Sequence, residues 1–96
     1  MEKTEVVRKV VEVIGNVQQE SGRTLHDITA GTYIYTEIDG FDSLNGFEAT
    51  VILSEGLGDA ELPDDLFLPE KGDRDISVGE IADRVCDKLN VEANVR

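Results

Sequence analysis

The chain has 96 residues, of which 21 are acidic and 9 basic, for a net charge of -12. This length suits one small domain burying roughly 60 to 70% of the surface its unfolded chain exposes, and leaves no room for a second core. The acid excess repels phosphates, which argues against nucleic acid or an anionic membrane as partner and favours basic proteins or cations. Every charged residue between Arg23 and Lys71 is acidic, so the negative field belongs to the middle of the chain.

The opening MEKTEVVRKVVEV interrupts its valines with charges and lacks the apolar region of a signal peptide, and no later run is long enough to span a bilayer. A soluble, cytoplasmic monomer is expected. Cys86 is the single cysteine, which excludes an intrachain disulfide, and no Cys/His cluster suits zinc.

Val6, Val7, Val10, Val11, Val13, Ile14 and Val17 recur at three- and four-residue spacings, predicting an amphipathic helix over about residues 3 to 20. Valine is a mediocre helix former, so packing must support it, and Gly22 is the expected stop. RTLHDITAGTYIYTEIDGFD shows no sustained helical period. TYIYTEI has strand character but no visible partner, so a long loop is expected, of a length that is often functional. His26 in this loop reads as a solvated or packing residue.

From Leu44 the pattern turns helical, with Leu44, Phe47, Val51 and Ile52 on one broad face, Asn45, Glu48 and Glu55 in other directions, and an end near Gly56 and Gly58. Ser43 stands at the start as the expected N-cap, worth about 1 kcal/mol. Gly46 in the first turn costs about 1 kcal/mol relative to alanine. Pro63, Pro69 and Gly72 then punctuate the chain, leaving DDLFL room for one short irregular helical turn whose Leu66, Phe67 and Leu68 need burial. Ser77 and Glu80 have capping-box spacing, and Val78, Ile81, Ala82, Val85, Cys86 and Leu89 follow at helical intervals. Cys86 on this stripe reads as a small core residue. Residues 90–96 are expected to fray.

Several chemistries fail on spacing. A calcium loop with Gly46 at its sixth position would place Phe41 at the first ligand. Ser43 lacks a GxSxG turn and a placed histidine partner, and no phosphate-binding glycine loop with an adjoining Lys-Ser or Lys-Thr occurs. What remains is a small acidic helical domain with a serine at the start of its second long helix.

This arrangement resembles the acyl carrier protein family. The resemblance rests on Asp42-Ser43-Leu44, preceded by Gly40 and followed by Phe47 and Glu48 one turn on. Glu61-Leu62-Pro63-Asp64-Asp65 is similar to the family's acidic proline loop, and Ile76-Ser77-Val78-Gly79-Glu80 to the approach to its last helix. The likeness covers most of residues 3 to 89. It implies an all-α, four-helix bundle with a long first loop and a short irregular third helix.

It also implies that a phosphopantetheinyl transferase attaches 4'-phosphopantetheine from coenzyme A to Ser43. The arm would carry acyl intermediates as thioesters in fatty-acid, lipid or polyketide-type biosynthesis. The chain would then be a substrate carrier and not an enzyme. Asp42, Leu44, Phe47, Glu48 and Glu55 would dock acyl-loading and acyl-transfer enzymes through basic patches. The chain departs from the family at Asn45, Val51, Ser54 and Gly56, and in a longer link from Pro63 to Val78, which points to a specialised carrier. An unmodified acidic interaction module and a carrier of aminoacyl cargo are the alternatives.

Overall fold

The computed structural model describes residues 2–23 and 27–94. Among the described residues, four helices follow one another: α1 (Lys3–Glu20), α2 (Ile34–Glu37), α3 (Ser43–Gly56) and α4 (Val78–Asn94). There is no strand among the described residues. The architecture is all-α. His26 lies outside the described residues, as do Val95 and Arg96 of the expected frayed tail, while residues 90–94 of that tail continue α4 instead of fraying.

Helix α1 is the centre of the packing and touches both α3 and α4. Its valine stripe explains why: Val6, Val10, Val13, Ile14 and Val17 are buried and meet Ala49 and Leu53 from α3 and Val78, Ile81, Ala82 and Val85 from α4 in one core. The helix ends where expected. Gly22 takes φ +70, donating its N–H to Gln19 O at 3.1 Å, while Arg23 N–H reaches Gln18 O at 2.9 Å. These two bonds form a Schellman cap, whose left-handed residue costs a glycine nothing sterically.

The segment TYIYTEI is neither a strand nor a plain loop. Tyr33 and Ser77 form one antiparallel bridge, with Ile34 N–H donating to Ile76 O at 2.9 Å and Val78 N–H to Thr32 O at 3.0 Å. The chain then winds directly into α2. The reason is Asp75, whose carboxylate accepts from Tyr35 N–H at 2.8 Å, Thr36 N–H at 2.9 Å, Ile76 N–H at 2.8 Å and the Thr36 hydroxyl. A carboxylate from a distant segment thus satisfies the orphan donors of a short helix.

Partial burial by itself would raise the Asp75 carboxyl. The Thr36 hydroxyl and the Tyr35, Ile76 and Thr36 N–H groups outweigh it and hold the carboxyl below its ordinary value. A depressed folded pKa contributes stability that is present above the unfolded pKa and lost as pH falls through the folded one. Asp75→Asn is therefore expected to cost about 1–2 kcal/mol near neutrality. Paired thermal melts should show the gap to wild type narrowing as pH drops below about 4, where the wild-type group also becomes neutral.

The short helix expected after Pro63 is a turn. Leu66 N–H donates to Pro63 O at 3.1 Å and Leu68 N–H to Asp65 O at 2.9 Å, so the pattern is three-residue closure that does not propagate before Pro69. Arg84 of α4 holds this turn, donating to Leu66 O at 3.1 Å and Leu68 O at 2.7 Å. Leu66 and Phe67 are buried as expected, whereas Leu68 stays exposed. At the start of α4, Ser77 Oγ accepts from Glu80 N–H at 3.2 Å, the capping bond its spacing implies. Cys86 is half-buried against the core.

Candidate functional site

The start of α3 is built by residues from three segments. Buried Gln18 near the end of α1 donates to Asp39 O at 2.7 Å, tying down the incoming loop. Asp42 is the N-cap, and its side chain accepts from Asn45 N–H at 3.0 Å while Asn45 Oδ1 accepts from Asp42 N–H at 3.1 Å. Arg23 donates to the same Asn45 Oδ1 at 2.8 Å. Asn45 is 6% exposed, so this reciprocal cap and its guanidinium partner are packed into the fold.

This corrects the expectation for Ser43. Asp42 caps the helix, and Ser43 is the first residue of α3, exposed to solvent. No hydrogen bond among the described residues engages its hydroxyl. The physical reason is the three-residue spacing of Asp42 and Asn45, which satisfies the Asn45 and Asp42 N–H groups reciprocally. That spacing is legible in the sequence and is the signal that Asn45 belongs inward. The contribution of Arg23 has no local signal, because it acts across 22 positions.

Gly46 also has a structural reason. A Cβ there would lie 3.0 Å from Phe67 Cβ and 3.4 Å from the Tyr35 hydroxyl. Tyr35 Oη donates to Phe67 O at 2.7 Å, locking the 64–68 turn against this bare stretch of helix. Burial first, then the charges of Asp75 and Asp42, push the Tyr35 hydroxyl above its ordinary pKa, which keeps the donor proton in place. Gly46→Ala is expected to lose about 1–2 kcal/mol by overpacking despite alanine's better helix propensity. Gly15→Ala in α1, where a Cβ would meet nothing within 4 Å, should instead gain about 0.5–1 kcal/mol. Denaturant titrations of the two variants provide the check.

The face of α3 that carries Leu44, Phe47 and Val51 is its outer one. Leu44 is 65% exposed, Phe47 49% and Val51 45%, while Asn45, Gly46, Ala49, Thr50 and Leu53 face the core. Glu48 and Glu55, expected in other directions, are exposed too, and helical spacing in fact sets them on the same face as Leu44, Phe47 and Val51. All five expected docking residues, Asp42 at the helix start among them, thus lie on the surface, strung along α3 from its first turn to its last. A cleft of about 300 Å³ runs between α3 and residues 59–64, lined by Phe47, Val51 and Leu62 together with Glu55, Glu61 and Asp64.

No family model, curated protein or solved structure matches the chain. The site's own chemistry therefore carries the functional reading. Among the described residues there is no group of three or more His, Cys, Asp or Glu side chains able to hold a metal ion. No helix among them is long and apolar enough to cross a membrane. What the arrangement offers is one free hydroxyl at a helix N-terminus, beside an exposed face that mixes large apolar side chains with carboxylates.

Proposed function

We propose that the chain is an acyl carrier-type protein, modified at Ser43 with 4'-phosphopantetheine and loaded by separate enzymes. The observation that carries this reading is the exposed Ser43 hydroxyl, left without a capping task by the Asp42–Asn45 pair. Asn45 N–H is taken by Asp42, and Gly46 N–H bonds Asp42 O at 3.0 Å. The remaining first-turn donors, at Ser43 and Leu44, have no backbone acceptor among the described residues, and the positive end of the helix favours a phosphate on Ser43.

In attachment, a bond forms between Ser43 Oγ and phosphorus as the pyrophosphate P–O bond of coenzyme A breaks, adenosine 3',5'-bisphosphate leaving with the electron pair and the hydroxyl proton passing to a base of the transferase. The bound arm supplies a terminal thiol for cargo. Asp42 serves by fixing the helix start, since its side chain is engaged by Asn45. Leu44, Phe47 and Val51 offer apolar contact to a partner, and Glu48 and Glu55 steer basic surfaces toward it.

The same exposed face suits a second reading, an interaction module that is never modified. Intact mass after incubation with a broad-specificity phosphopantetheinyl transferase and coenzyme A separates the two. The carrier gains the mass of one arm on Ser43. An unchanged mass, with a control carrier modified alongside, selects the interaction module.

A further inference from the structure

Ser43 sits beside a stretch of helix that carries no side chain. Its neighbours on the helix surface are the residues three and four positions on, Gly46 and Phe47. Phe47 stands in solvent at 49% exposure, whereas the space above Gly46 is taken by Phe67, itself 1% exposed. The Phe67 ring lies 6.2 Å from Phe41, and Phe41 lies 6.1 Å from Tyr35, so three aromatic rings fill the bundle beneath the first turn of α3. Phe67 is pinned through the backbone: Tyr35 donates to its own carbonyl, and Arg84 to the carbonyls of Leu66 and Leu68 on either side.

A cargo attached near Ser43 stays outside the core, in solvent or along the open cleft beside Phe47, Val51 and Leu62, or it enters the bundle past Gly46. Each methylene that enters would gain by leaving water, but only if the interior has room, and close-packed interiors have none to spare. Taking Ser43 as the attachment point, as proposed above, we infer that Phe67 is the specificity-determining residue that closes the bundle to apolar cargo. The chain therefore holds its acyl cargo outside its core, and long alkyl chains gain no shelter inside the bundle.

The test loads wild type and Phe67→Ala with butyryl, octanoyl and dodecanoyl groups from the corresponding acyl-coenzyme A and compares melting temperatures. Wild type is expected to melt at one temperature whatever the chain length. Phe67→Ala should rise by about 3–6 °C for each methylene the vacated space takes up. A wild-type melting temperature that climbs with chain length overturns the inference, as does a variant that stays flat. If Phe67→Ala does not fold, Phe67→Leu opens a smaller space and is read in the same way.

A second measurement does not depend on the arm. Unmodified wild type and variant are titrated with benzene while the amide resonances of Gly46 and Phe41 are followed. Response in the variant alone supports closure by Phe67, because an apolar void of this kind stays dry and admits such a probe. Response at Gly46 in wild type overturns it. Failure to load Ser43, with benzene still excluded from wild type, counts against the carrier reading and leaves the closure standing.

Discussion

Ser43→Ala should abolish attachment completely while leaving the protein folded. After incubation with transferase and coenzyme A, intact mass should stay at that of the bare chain, and the helical circular-dichroism signal should match wild type. Stability should change by no more than about 0.5 kcal/mol, the range of surface substitutions away from any special feature. The expectation is this small because the cap of α3 is Asp42. Asp42→Ala is the matched control: it keeps the Ser43 hydroxyl and removes the cap, with an expected cost of about 1 kcal/mol. A loss of that size in Ser43→Ala would show that the serine, and not the aspartate, holds the helix end. Modification persisting in Ser43→Ala would place the attachment point elsewhere.

Reversing Glu48 and Glu55 together to lysine should slow transfer by the modifying enzyme and by acyl-loading partners. Each exposed ion pair contributes only about 0.2–1 kcal/mol, and reversal replaces attraction with repulsion, so a combined loss of roughly 1–3 kcal/mol is expected. At low salt that corresponds to about a fivefold to 150-fold drop in kcat/KM. The fold should hold or gain slightly, since both residues are exposed and four units of positive charge bring -12 to -8. Raising the salt should narrow the difference, because surface charges are screened beyond about 8–10 Å near physiological ionic strength. Equal rates at low salt would show this face of α3 to be merely solvated.

The long helices at the two ends were readable because periodicity and local end signals agreed. In α1 the valine stripe reports the buried face directly, and Gly22 supplies the left-handed residue of its cap. In α4 the Ser77 to Glu80 spacing marks the start, and Val78, Ile81, Ala82 and Val85 are buried as their intervals imply. In helix α3 the limits and the common face of Leu44, Phe47 and Val51 were legible, whereas Glu48 and Glu55, read in other directions, share that face. Its inward side chains include the small or polar Asn45, Gly46, Ala49 and Thr50, so hydrophobicity alone does not report which face is buried. Burial there was decided by how closely Phe67 approaches the helix, which takes a glycine, and by a polar cap that needed packing.

By itself, the sequence determined the helical class, the extent of α1 and α3, the start of α4, the acidic middle, and the singling out of Ser43 at a helix start. These follow from interactions between residues a few positions apart, whose geometry any helix supplies. Tertiary structure decided the rest. Asp75 winds α2 from 40 residues away, Arg23 secures the Asn45 cap from across the loop, and Arg84 staples the turn that brings Phe67 onto Gly46. It also decided that Ser43 keeps its hydroxyl free and that the apolar side chains beside it face outward. Such contacts join segments far apart in sequence, so they leave no local period and become visible only when the chain is folded.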